Sequence, residues 1–281
     1  MSVNTETDIA RAGARGRTPR RLSSVLNAAR RQRDLLIALT ESDLRFRYGR
    51  GAWRFVRLLL DPFALVGIYL ILIVIVSTRP GYAPGLSLAC AVVPFQYLMA
   101  TVTNAMGAVD LRRPILLNMS FRRMFLPISS VLTETVSFGA SFVVIAVMMV
   151  IYRVPPSPAL LWLPLVVVVT AIFSASFAYP ASLFGVWFSR GLRPFALSFM
   201  RMIFFLGPGL VALERTSGRT HLLLSLNPLS GLFESFRDVF LYGHRPAAWQ
   251  LLYPLGFSLV LLLAFVPLYA HEQRHFAKVV E

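Results

Sequence analysis

Six apolar runs of about twenty residues dominate the chain, each long enough to cross the hydrocarbon of a bilayer as a helix. They are Leu58 to Thr78, Leu86 to Gly107, Ser129 to Ile151, Leu160 to Val186, Phe195 to Leu213 and Gln250 to Ala270. None shows the alternation of a strand. Lipid offers no water to unpaired backbone groups, so only helices or a closed barrel can cross it. The pattern predicts an all-α membrane protein whose six transmembrane helices occupy residues 58–270, with a kink at Pro180 in the fourth.

Residues 22–57 mix the two characters. Leu22, Val25, Leu26 and Ala29 recur at helical spacing, and Leu36, Leu39 and Leu44 follow among Arg30, Arg31, Arg45, Arg47 and Arg50. An apolar face flanked by arginines predicts an amino-terminal amphipathic helix lying in the headgroup layer. A solvated cytoplasmic helix is the competing reading. Residues 1–21 read as a disordered basic cytoplasmic tail and 271–281 as a short cytoplasmic tail. Arg20-Arg21 resembles a twin-arginine leader only superficially, because Arg30, Arg31, Arg33 and Asp34 interrupt any apolar region behind it. Two connections are too elaborate for simple links. Residues 109–128 carry basic pairs at each end and are expected to hold a short helix parallel to the membrane, facing a cytoplasmic partner. Residues 214–249 are amphipathic and predict short, broken, re-entrant helices in the outer interface, between spans five and six.

Charge sets the orientation. The formal net charge of +15 would suit a nucleic-acid partner if the basic residues lay on one soluble face. Instead 13 of the 28 precede Leu58, and most others sit in short loops. That is a topology signal and a match to anionic lipid, with no nucleic acid implied. With the amino terminus inside, 21 basic residues fall on the cytoplasmic side and 6 outside. Both termini are thus expected in the cytoplasm of a multi-pass protein of the inner (cytoplasmic) membrane. The low share of charged residues, 15%, fits lipid as the main solvent.

Candidate chemistry is sparse. His271-Glu272-Gln273-Arg274-His275 matches the zinc-protease pattern, in which two histidines share a helix face and the glutamate is the base. A catalytic zinc also needs a third protein ligand in a protected cleft, and this match lies on a short polar tail. A metalloprotease is therefore the remote reading, and no metal site is assigned. The lone Cys90 supports no disulfide or thiolate site. A P-loop needs a lysine behind a glycine, whereas the one lysine, Lys278, follows alanine. Catalytic residues and bound cofactors are thus not expected, and any ATP and Mg must be handled by a separate ATPase chain. Within the spans, Glu134 and Arg201 lie five and six residues from the cytoplasmic ends of the third and fifth runs. Equal depth predicts a structural ion pair in preference to a transport role. The span aromatics Phe95, Tyr97, Phe138, Phe142, Phe173, Phe177, Tyr179, Phe199, Phe204 and Phe205 pack against lipid or neighbouring helices on the plain reading. Stacking on sugar faces is the alternative for a subset.

Three segments resemble one family. RQRDLLIALTESDLRFRYGRGAWRFVRLLLDP is similar to the amino-terminal signature of ABC-2 type permeases that export polysaccharides such as O-antigen, teichoic acid, capsule and galactan, with matches at Asp43, Leu44, Arg47, Tyr48, Trp53 and Pro62. RRPILLNMSFRRMFLPISSVL resembles the second cytoplasmic loop at Asn118, Phe121, Arg122, Leu126 and Pro127. LNPLSGLFESFRDVFLYG resembles the outer re-entrant segment at Asn227, Pro228, Phe236, Arg237, Leu241 and Gly243. Arg57 and Asp61 depart from the family pattern. The resemblance implies a homodimer lining a channel, two ABC ATPase subunits on the cytoplasmic side, and a glycan carried on a polyprenyl pyrophosphate. Arg112, Arg113, Asn118, Phe121, Arg122 and Arg123 would couple to the ATPase. Arg45, Arg47, Tyr48, Arg50 and Trp53 are candidates for the lipid pyrophosphate, since guanidinium pairs with phosphate oxygens in fork geometry; anchoring to anionic lipid is the alternative. An ABC-2 permease for a drug or lipid is the alternative function.

Overall fold

The computed structural model describes residues 30, 33–34, 36–45, 53–76, 82–111, 124–188, 190–209, 212–213 and 216–273, which are helical with short connections and contain no strand. The helical residues 36–45 form α1. They are followed by α2 (Trp53–Val76), α3 (Pro84–Leu111), α4 (Phe125–Ile151), a 3₁₀ turn Pro158–Trp162 leading into α5 (Leu163–Trp187), and α6 (Arg193–Phe205). Two short helices come next, α7 (Gly218–Ser225) and α8 (Pro228–Arg237), the latter extended by a π-helical turn Asp238–Tyr242. The last element is α9 (Ala248–Glu272).

Four helical stretches among the described residues are long and apolar enough to cross a membrane: α3, α4, Pro158–Trp187 and α9. They coincide with the second, third, fourth and sixth runs. In the place of the first run α2 is 24 residues long. The fifth run departs from expectation. Its helix is only 13 residues, and Leu206–Gly209 turn away. At a rise of 1.5 Å per residue, α6 is about 20 Å long, well short of the hydrocarbon thickness. The cause is local: the sequence Gly207-Pro208-Gly209 cannot continue a helix, whatever its apolarity.

One helix organises the bundle. The apolar stretch of α3 is 78% buried, whereas that of α9 is only 17% buried. Accordingly α3 packs on α5, α4, α2, α8 and α6, while α9 lies against α5 and α8. On the outside of α9, Leu252, Leu259, Val260 and Leu263 are exposed, as suits a lipid-facing helix. Close approach between α3 and α5 depends on Gly185, where a Cβ would collide with the backbone of Met106. Small residues at such crossings let apolar helices gain dispersion contact without help from water. Polar side chains within the spans mostly satisfy themselves. On α4, Thr133, Thr135 and Ser141 each donate to the carbonyl four residues earlier, at 2.8–3.0 Å. The helix α5 is continuous through Pro180; proline there removes the donor that would have served the Ser176 carbonyl.

Most of the aromatics considered for a glycan path are core. Phe95, Tyr97, Phe138, Phe173, Tyr179 and Phe204 are buried. Tyr97 stacks on Phe138, which meets Phe236 edge-on, so this cluster joins α3, α4 and α8. Phe199 and Phe205 on α6 are the exposed ones.

Candidate functional site

The segment between α6 and α9 is built around a buried charge pair. Pro228 opens α8 and Asn227 caps it, accepting from the Leu229 N–H at 3.0 Å. The same Asn227 side chain donates to the Ile203 carbonyl of α6 at 2.7 Å, fixing where α8 starts. One side of α8 lies so close to α9 that a Cβ on Gly231 would strike the Gln250 carbonyl. The far end of α8 carries Arg237, whose side chain has no exposed surface, and Glu234, which is nearly as buried.

Every arm of Arg237 is used. Its Nη1 donates to Glu234 Oε1 at 2.7 Å, and its Nη2 donates to the Pro208 carbonyl at 2.7 Å and the Gly209 carbonyl at 3.3 Å. Its Nε donates to Ser87 Oγ at 3.1 Å near the start of α3. Glu234 Oε1 also accepts from the Leu213 N–H at 2.8 Å. One ion pair therefore ties α8, the turn after α6, the segment around Leu213 and the beginning of α3. Non-helical backbone survives in an apolar setting only when its groups are met by protein, and here a guanidinium meets them. Just beyond, Gln250 Nε2 donates to Asp238 Oδ2 at 2.7 Å and its Oε1 accepts from the Ala247 N–H, joining the π-helical turn to α9.

Of the residues singled out from the sequence between the fifth and sixth runs, Asn227, Pro228, Phe236 and Arg237 are thus brought together in one packed unit. Glu234, the partner of Arg237, was not anticipated. Its signal was the Glu-x-x-Arg spacing, which places both groups on one helix face.

At the opposite end of the bundle a second charged contact forms. Arg193, the first residue of α6, donates through Nη2 to Asp110 Oδ2 at 2.7 Å and to the Gly185 carbonyl at 2.7 Å. The last turn of α3 is thereby fastened to the last turn of α5 and the first of α6.

The expected ion pair of Glu134 with Arg201 does not form. Glu134 is buried and accepts from Asn104 of α3, whereas Arg201 is exposed. The helix that carries Arg201, α6, packs on α3 rather than chiefly on α4, so equal depth brings no proximity. The Asn104–Glu134 bond and that between the Tyr97 and Thr135 hydroxyls, at 2.8 Å, are two polar contacts between α3 and α4.

In α1, Leu39 and Leu44 are buried while Arg45 and Glu41 are exposed and pair one helical turn apart. Ile37 in the same helix is exposed as well. Arg47, Tyr48 and Arg50 lie outside the described residues, as do Arg112, Arg113, Asn118, Phe121, Arg122 and Arg123. Trp53 opens α2.

At the carboxyl-terminal end, α9 stops at Glu272, and His275 lies outside the described residues.

No family model matches the chain. It is 25% identical to the O-antigen export system permease protein RfbA of Klebsiella pneumoniae over 233 residues, covering 82% of this chain and 89% of that one. A second Klebsiella pneumoniae protein of the same name is 26% identical over 213 residues, 75% of this chain and 81% of its own length. The RfbA permease of Myxococcus xanthus is 27% identical over 251 residues, 88% and 95% of the two chains. The resemblance to polysaccharide-export permeases, first carried by three segments, thus extends along most of the chain.

Proposed function

We propose that this chain is the membrane-spanning subunit of an ATP-driven exporter that moves a polyprenyl-pyrophosphate-linked polysaccharide across the cytoplasmic membrane. The observation that carries this reading is similarity to O-antigen export permeases over most of the length of both chains, on a bundle of membrane-length apolar helices. In this reading α2 crosses the membrane together with α3, α4, α5 and α9. The short α6 supplies a partial crossing, completed by the turn and the outer segment. Two copies of the chain enclose the path, where the exposed aromatic rings of α6, Phe199 and Phe205, are available to sugar faces. The helix α1 lies at the cytoplasmic interface with Arg45, and Arg47 and Arg50 that follow it in sequence, near the lipid carrier, and both termini face the cytosol.

Hydrolysis of ATP falls to a separate ATPase chain that grips residues 109–128. When its two copies close, they push on this loop, and the spans respond as rigid bodies because packed helices move between discrete arrangements. The test is co-expression with the ATPase chain in cells lacking their own polysaccharide permease. Surface glycan should return only when both chains are present. Arg122→Glu combined with Arg123→Glu should abolish the permease-dependent rise in ATP hydrolysis while membrane insertion stays normal. Normal stimulation in that variant would remove the loop from the mechanism, and appearance of a drug or lipid outside in place of glycan would replace the substrate.

A further inference from the structure

Something must carry motion from the cytoplasmic loop to the outer segment; the long α3 also reaches Arg237 through Ser87, but it is the buried hub of the bundle, whereas α6 is short and fastened by hydrogen bonds at both ends. At its inner end α6 begins with Arg193, bonded at once to Asp110 and to the Gly185 carbonyl. Asp110 is the penultimate residue of α3, directly before the basic loop at 112–123. At its outer end α6 offers the Ile203 carbonyl to Asn227, and the turn that follows offers the Pro208 and Gly209 carbonyls to Arg237.

We propose that α6 is a connecting rod and that Arg193 is the positioning residue that attaches it to the ATPase-facing loop through Asp110. The inference rests on the export reading above and adds the route by which the loop acts. Chemistry explains why the two attachments differ. At the outer end the bonds of Arg237 are buried and its donors saturated, with the part-buried Asn227 bond beside them, so the outer segment stays held to the rod in every state. The inner one is partly open to water, with Arg193 19% and Asp110 37% exposed. An ion pair at that exposure is weakly held and can part and re-form within a transport cycle. Both bonds leave the same nitrogen, Nη2, so a single donor group serves the Asp110 carboxylate and the Gly185 carbonyl together. Displacing the end of α3 thus pulls or releases the rod, and the rod moves Pro208, Gly209 and the helix held by Arg237.

The test uses the full chain with its ATPase partner in membrane vesicles and in cells. A reporter cysteine at Leu223, an exposed residue of α7, reads the outer segment through its labelling rate with a membrane-impermeant maleimide. In the otherwise unaltered complex, trapping the ATPase with vanadate should change that rate. Arg193→Glu and Asp110→Arg should each lower export about tenfold, the scale of a typical coupling between sites. They should also erase the vanadate-dependent change in labelling, while ATP hydrolysis continues. The charge swap Asp110→Arg with Arg193→Asp should recover export part-way, since the pair returns but the Gly185 carbonyl loses its donor. Full coupling in either single variant would overturn the proposal. So would a proportional fall of hydrolysis and export that the swap does not rescue, which would make the pair a fastening of the fold only. Failure of the unaltered complex to export glycan would instead refute the export reading itself, and is visible without any of these variants.

Discussion

Arg237→Met should destabilise the folded protein by about 3–5 kcal/mol, the cost of leaving a buried partner charge uncompensated. The guanidinium has no exposed surface and serves Glu234, Ser87, Pro208 and Gly209 together. Methionine fills much of the volume but donates nothing. The carboxylate of Glu234 would then keep only the Leu213 N–H, in surroundings that penalise a lone charge. Arg237→Lys should fall between, because one ammonium cannot reach all four acceptors in the same geometry. Non-additivity is the informative part. Adding Glu234→Gln to Arg237→Met removes the stranded charge and retains an oxygen for Leu213, so the double variant should be more stable than Arg237→Met alone. Thermal unfolding of the purified protein in detergent micelles reads all of these. Equal stability of Arg237→Met and the parent would mean that the pair does not hold the segment between α6 and α9.

The second large effect is expected at Gly185. A single methyl group there meets the carbonyl oxygen, carbonyl carbon and Cα of Met106, all of them backbone atoms. Overpacking against side chains typically costs about 1–3 kcal/mol, because rotamers can shift. Backbone cannot rotate away without moving the helix. Gly185→Ala should therefore reach or exceed about 3 kcal/mol, the top of that range, and Gly185→Leu should prevent assembly of the bundle. The loss is amplified because α3 is the hub on which α2, α4, α5, α6 and α8 all pack. A control lies on α4, where a Cβ on Gly139 meets nothing within 4 Å. Gly139→Ala should be neutral or slightly stabilising, since alanine favours a helix over glycine by up to about 1 kcal/mol. Folded yield from membranes, measured by size-exclusion chromatography in detergent, separates the two glycines. A Gly185→Ala protein as abundant as Gly139→Ala would show that α3 and α5 can part at little cost.

Much of this architecture was readable from the chain. The runs that became α3, α4, α5 and α9 announced themselves because a helix in lipid must be long, apolar and uninterrupted, and sequence records all three properties. Asn227-Pro228, read from the sequence only as a family-like match, also carries the local chemistry of a helix start, a capping side chain and a preset φ. The fifth run misled because average apolarity hid Gly207-Pro208-Gly209, a local stop within an otherwise greasy stretch. Glu134 and Arg201 misled for another reason. Depth along the membrane normal can be counted in residues, but which helices are neighbours cannot.

What the sequence determined alone, then, is four of the six expected long helices, their apolar character, and the segments that resemble export permeases. Those properties depend on a residue's own chemistry and on neighbours within a few positions. Only the tertiary structure decided that Arg237 also meets the Pro208 and Gly209 carbonyls, that Glu134 turns to Asn104, and that Arg193 reaches back to Asp110. Each of the long-range contacts joins residues tens of positions apart, and packing a second helix against the first selects one partner from many chemically equivalent ones.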